Sequence, residues 1–314
     1  MTMRKIILIA PIFTVLFISG YAQSVNLTVN LTEGFRYNTE TTVNLTVEQE
    51  FMGILYNTQM DIVTVIQMQV QGIDADSNYI LSASYQKMDI RVSSLLINME
   101  VSTESVIRGD SLSNLLKALR GKEFKILLSR KGEIFDIIGL DEMINETILS
   151  GSLQEEQKIE FTRNLIQSLG KDAVLDNYRS IRSFYPDNPV KAHDQWDYHM
   201  NVIKSGIPME LNSNIRLKEI TKEMAILGSE GRINSQNLKN EKNPAVLPSP
   251  VYYLLGNEIS ENKIDIRTGL LMESIVSQNI TGTIKTPSEE NNDQEMMIPF
   301  KIISRSTMLS TALQ

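Results

Sequence analysis

Val25-Asn26-Leu27-Thr28-Val29-Asn30-Leu31-Thr32, followed across Glu33-Gly34 by Phe35-Arg36-Tyr37-Asn38, is the stretch on which the fold turns. Val25, Leu27, Val29 and Leu31 fall on one side, and Asn26, Thr28, Asn30 and Thr32 on the other. That alternation marks a strand with one wet face. It resumes with Phe35, Tyr37, Val43, Leu45 and Val47, opposite Arg36, Asn38, Glu40 and Asn44. Met60, Ile62, Ile66, Met68 and Val70 continue it, against Asp61, Gln67, Gln69 and Gln71. Asp74-Ala75-Asp76-Ser77-Asn78 supplies a turn, and Tyr79, Leu81, Ala83 and Tyr85 begin the return. Strands this long must twist and coil, so a strongly curved antiparallel sheet is expected.

The period changes in the middle of the chain. Asp110 and Ser111 can cap a helix through Leu112, Leu115, Leu116 and Leu119, stopped by Gly121. A hairpin follows, Phe124 to Leu128 and Ile134 to Ile137 about Arg130-Lys131-Gly132. Asp141 can cap a helix to about Leu149, and further helical patterns run from Leu153 to Leu169 and from Asp172 to Ile181. Beyond Pro189 the two-residue period returns, near Trp196–Val202, Ile215–Ile220, Met224–Ile226, Ile264–Ile266, Leu270–Ile280 and Met297–Ile303. Gly228-Ser229-Glu230-Gly231 reads as a tight turn, and Asn234–Pro250 as a polar connection. The expected fold is α+β: a long, half-barrel-like antiparallel sheet packed on a central helical segment.

Residues 1–22 read as a secretory signal peptide, with Arg4 and Lys5, an apolar stretch from Ile6 to Ile18, and Gly20-Tyr21-Ala22 before the expected cleavage at Gln23. Spanning a bilayer takes about 20 apolar residues, more than this stretch offers. Residues 23–314 then form a single β-rich domain with a mainly helical insert at about 140–185, and no membrane anchor remains after cleavage. The 314 residues carry a net charge of −8, which argues against a nucleic-acid partner. The absence of cysteine removes disulfides, thiolate metal sites and thiol nucleophiles.

Few constellations remain for chemistry. Asp74-x-Asp76-x-Asn78 begins like a calcium loop, but Tyr79 and Tyr85 stand where that motif needs glycine and glutamate, so a hairpin turn is expected. The histidines, His193 and His199, would lie about 20 Å apart on an extended strand, too far to share a metal. His193 with Asp194 is the only place where a catalytic account could begin, and the expectation there is a polar turn entering a strand anchored by Trp196. Nucleophile-elbow and phosphate-loop motifs are absent. The acidic run between Thr286 and Glu295 reads as a solvated loop, Glu155-Glu156 as a helix start, and Met60 and Met68 as core. No catalytic, cofactor or metal residue is assigned.

Several stretches taken together resemble a bacterial family of exported proteins known only as a domain of unknown function. They are Gly72 to Tyr79, Gly121-Lys122-Glu123-Phe124, Leu128-Ser129-Arg130-Lys131-Gly132-Glu133-Ile134 and Gly139-Leu140-Asp141-Glu142. Tyr185-Pro186-Asp187-Asn188-Pro189-Val190, Asp194-Gln195-Trp196 and Asp265-Ile266-Arg267-Thr268-Gly269-Leu270 complete the pattern. Members of that family typically have glycine where this chain has His193. The resemblance implies no activity and no site residues.

The leading expectation is an exported, non-enzymatic cell-envelope protein, periplasmic or secreted, that binds an apolar small molecule or an envelope protein and uses no cofactor. One alternative is a structural protein with a filled core. The other is a hydrolase built on scattered carboxylates or on His193, the latter requiring that residue in a cleft beside an acid.

Overall fold

A computed structural model describes residues 24–107, 110–151, 158–159, 162–163, 165–166, 169–172, 174–175, 185–204, 207–235, 250–287 and 295–313. In chain order the strands of the first half are β1 (Ser24–Val25), β2 (Arg36–Phe51), β3 (Ile54–Ile73), β4 (Tyr79–Ser93), β5 (Asn98–Ser102), β6 (Glu123–Leu128) and β7 (Ile134–Ile138). Helix α1 (Ser111–Leu119) precedes β6, and α2 (Leu140–Leu149) follows β7. The second half supplies β8 (Val190–Lys191), β9 (Gln195–Lys204), β10 (Ile207–Ile220), β11 (Met224–Asn234), β12 (Val251–Asp265), β13 (Leu271–Pro287) and β14 (Glu295–Leu313).

Twelve strands form one antiparallel sheet in the order β7-β6-β4-β3-β2-β14-β13-β12-β11-β10-β9, with β5 paired to β4 beside this path. It consists of two meanders joined where the first and last long strands pair, Arg36 opposite Leu313 and Gln49 opposite Phe300. Followed from β9 to β14 and then from β2 to β7, neighbours in the sheet are neighbours in the chain apart from the join and the detour through β5. The small sheet β1–β8 pairs Val25 with Val190.

The expected α+β architecture is not what forms. The protein is mostly β, and among the described residues the only complete helices are the short α1 and α2, not a central layer supporting the sheet. The physical reason lies in the core, which divides into three apolar clusters. Only the first receives the helices, through Leu116, Leu119, Ile144 and Ile148, together with Leu165, Leu169, Val174 and Leu175 from the stretch expected to be helical. The second joins Ile215, Leu217, Leu227, Ile264 and Leu271 to Val25, Leu27 and Val190. The described members of the third are all strand residues, among them Met209, Leu211, Leu254, Ile280 and Ile302. Among the described residues, much of the sheet's apolar face is thus closed by strand side chains. Asp141, read as a cap, lies in the first turn of α2 behind Gly139, and its Oδ1 accepts the Lys171 amide at 2.8 Å.

The opening stretch is extended, as its alternation requires, but only Ser24 and Val25 pair as strand. The rest is a strap across the inside of the molecule. Val25 and Leu27 enter the second cluster, Val29 and Leu31 the first. Several of its peptide groups bond to what they cross: Val29 N donates to Arg130 O and Asn30 N to Thr268 O, both at 2.8 Å. The buried Tyr79 hydroxyl donates to Val29 O at 3.1 Å and accepts from Leu31 N at 3.2 Å. Gly269, with φ +63°, lies so close beneath the strap that a β-carbon there would overlap the Thr28 carbonyl oxygen.

Candidate functional site

A cleft of about 530 Å³ opens beside β9, the strand at one end of the sheet. Lys131 and Glu133, from the turn joining β6 to β7 at the sheet's other end, form its opposite wall. The sheet is therefore curled until its two ends flank one opening. The volume falls within the range of small-molecule sites, about 300–1,000 Å³.

Each wall is held by local chemistry. The turn closes with Gly132 N donating to Ser129 O at 3.0 Å. Gly132 has φ +79°, and a β-carbon on it would stand 2.7 Å from the Tyr185 ring, so its bare backbone is what seats that ring. The Tyr185 hydroxyl reaches on to donate to Gly269 O at 2.7 Å. Lys131 pairs with Asp187, and the hydrogen bond to that carboxylate raises the ammonium's pKa above its ordinary value.

The third wall is β9 itself. His193 occupies the left-handed region at φ +75°. Asp194 N donates to Lys191 O, closing a turn. His193 N donates to Leu217 O, and Leu217 N to Asp194 O. These bonds define a bulge whose first residue takes the left-handed conformation that glycine adopts most freely. The glycine typical of the resembling family has its physical reason here, and His193 holds the same geometry at a cost. Trp196 and Tyr198 follow on one face of β9, half-buried against the second cluster. Asp197 is exposed on the other face, its Oδ1 accepting from Asn214 Nδ2 at 3.0 Å. Asp194 Oδ2 accepts the Lys191 amide at 2.8 Å.

Among the described residues, the lining thus combines the rings of Tyr185, Trp196 and Tyr198 with four carboxylates, those of Glu133, Asp187, Asp194 and Asp197, and the ammonium of Lys131. Aromatic faces beside surplus negative charge favour organic cations by cation–π and Coulomb attraction.

The other residues singled out in the sequence lie elsewhere. His193 is exposed outside the cleft lining, its Nδ1 3.4 Å from an Arg216 nitrogen. His199 is exposed on β9, its Nδ1 2.8 Å from Asn212 Oδ1. Asp74 serves its own turn: Oδ1 accepts the amides of Asp76 at 2.9 Å and Asn78 at 2.8 Å. Met68 is buried in the first cluster. Gly228-Ser229-Glu230-Gly231 is not a turn but lies within β11. Glu155-Glu156 falls outside the described residues, as does most of the acidic run between Thr286 and Glu295. Among the described residues, no group of three His, Asp or Glu side chains is placed to hold a metal ion, and no helix is long and apolar enough to cross a membrane.

Single-residue reasoning missed Glu133, Tyr185 and Asp197. The signal that finds them is the set of stretches carrying the family resemblance. Those around Tyr185 and Trp196 are near neighbours in the chain, but the one around Gly132 lies more than fifty residues earlier, and all three meet at one opening.

Comparison with known proteins bears on the family more than on function. No curated protein matches the chain. Among solved structures, 91% of the chain is similar to a structure of lipovitellin titled for its lipid–protein interactions, at 8% identity and a TM-score of 0.49, and it spans only 26% of that chain. It also resembles OpdQ of Pseudomonas aeruginosa at 5% identity and a TM-score of 0.23, covering 89% of this chain and 99% of that one. A DUF1329 family protein from Desulfovibrio piger is similar at 8% identity and a TM-score of 0.14, over 87% of this chain and 83% of that one. Likeness at this level transfers no activity or ligand. A family model does match, over residues 76–271, more than half the chain and including every wall of the cleft. The chain belongs to the family of unknown function DUF6263.

Proposed function

We propose that this is an exported cell-envelope protein that binds rather than transforms its ligand, and that it binds at the cleft between the two ends of the sheet. The observation carrying the reading is the convergence of three separate family-resembling stretches on one aromatic, acidic opening. Export rests on the signal-peptide pattern of residues 1–22. A wholly apolar ligand would leave the carboxylates facing it without partners, whereas an apolar body joined to a positive group satisfies both parts of the lining.

The chain contains one tryptophan, Trp196, and it lines the cleft, so its fluorescence reports occupancy directly. Titrating protein that begins at Gln23 with hexyltrimethylammonium should shift or quench that emission saturably, and added salt should weaken the effect. Hexanoate, with the same chain and the opposite charge, should do neither. Equal responses to both, or none to either, overturn the reading.

A further inference from the structure

Among the described residues β9 ends the sheet, and the cleft lies along the side of it that pairs with no described strand. The bulge at His193 sets the phase of the strand. Leu217 is bonded to His193 and Asp194, so the antiparallel alternation directs the peptide groups of Trp196, Tyr198 and Met200 towards β10. Those of Gln195, Asp197, His199 and Asn201 point out of the sheet, and all four residues are exposed. Such an edge is a template for a further strand.

The side chains beside it say what kind of strand fits. Trp196 and Tyr198 offer a half-buried apolar face, and Asp197 stands on the other face. Asp194 and Glu133 add negative charge, while Lys131 is already paired with Asp187. A second copy of β9 laid against this edge would bring like carboxylates together, which disfavours self-pairing.

We propose that β9 is a docking edge for an extended peptide with lysine or arginine at alternate positions and apolar residues between them. The peptide adds to the sheet through the main chain of Gln195, Asp197, His199 and Asn201. Its basic side chains meet Asp197 and the acidic cleft, and its apolar ones cover Trp196 and Tyr198. This rests on the cleft reading above and names its ligand.

The test uses protein beginning at Gln23 and an end-blocked peptide of alternating lysine and valine, about six residues long. Binding is read by Trp196 fluorescence, and strand addition by amide hydrogen exchange. Slowed exchange is expected at Asp197 and His199, whose amides face outward, with little change at Trp196 and Tyr198, already bonded to β10. Methylating the peptide's amide nitrogens that face β9, or substituting His199→Pro, should weaken binding at least about tenfold. The proline removes an outward N–H that the β9–β10 pairing does not use, so the melting temperature should hold. A peptide of alternating glutamate and valine should not bind.

Binding without protection of the outward amides, or unaffected by methylation, overturns strand addition and leaves the cleft reading standing. Dimerisation through β9 in sedimentation overturns it too. A peptide that does not perturb Trp196 while hexyltrimethylammonium does overturns strand addition alone; failure of hexyltrimethylammonium removes the cleft reading itself.

Discussion

At the scale of single residues, the informative positions are those where backbone conformation and side chain disagree. His193 at φ +75° is the clearest, since left-handed backbone costs an L-residue about 1–2 kcal/mol and glycine almost nothing. Replacing it also makes the unfolded chain more flexible, which offsets part of the gain. His193→Gly should therefore raise stability by about 0.5–1 kcal/mol, read as a higher urea midpoint with unchanged slope. A fall in stability would show that the histidine ring contributes more than its backbone costs. The sequence made His193 and Asp194 visible as a polar turn before a strand. It did not place them at a bulge, because that bulge depends on Leu217 of a strand not yet formed.

Among the elements, α1 was read correctly from local signals, its cap included. Asp110 Oδ1 accepts the Ser113 amide at 3.0 Å, and Ser105 Oγ donates to Oδ2 at 3.1 Å. Asp110→Ala should cost about 1 kcal/mol. The bonds from Ser113, side chain and amide, hold the Asp110 carboxyl below its ordinary 3.8. A depressed folded pKa means that its contribution is complete above 3.8 and is lost as pH falls through the lower folded value. The gap between wild type and Asp110→Ala, measured by urea unfolding, should accordingly narrow on acidification below that range. By contrast, most of β12 was illegible. Its inward side carries Glu258, Ser260 and Asn262, all buried, while Leu255 and Ile259 point outward and are exposed. Polar residues inside and apolar ones outside erase the contrast that periodicity detects. Across the sheet Gln278 donates to Glu258, Ser304 donates to Gln278 at 3.0 Å, and Asn262 donates to Ser260 at 2.9 Å, so a buried polar belt separates the second and third apolar clusters.

At the scale of the whole molecule, the strap decides whether the halves behave as one. Val25, Leu27, Val29 and Leu31 are each almost fully buried, and they enter two different clusters. Burying each such side chain contributes about 1.5–3 kcal/mol, so together they rival the net stability of a typical domain. We expect the chain from Gln23 to unfold in one cooperative thermal transition. A chain beginning at Glu33 should lose that transition or split it, as calorimetry would reveal. Cooperative melting unchanged by the truncation would mean that the strap decorates the fold without joining it.

The alternation from Phe35 to Tyr85, and its return after Pro189, was enough to establish long antiparallel strands, because side-chain period follows directly from backbone geometry. The equally regular alternation from Val25 to Leu31 instead became a strap that pairs as strand only at Ser24 and Val25. The hairpin at Gly132 and the cap at Asp110 were equally local and equally readable. Only the tertiary structure decided that β2 pairs with β14, that strand side chains form the described members of the third apolar cluster, and that Gly132, Tyr185 and Trp196 meet at one opening. Those outcomes depend on how far the sheet curls and which edges it brings together. That is a sum over many strand pairs, written in no single stretch of the chain.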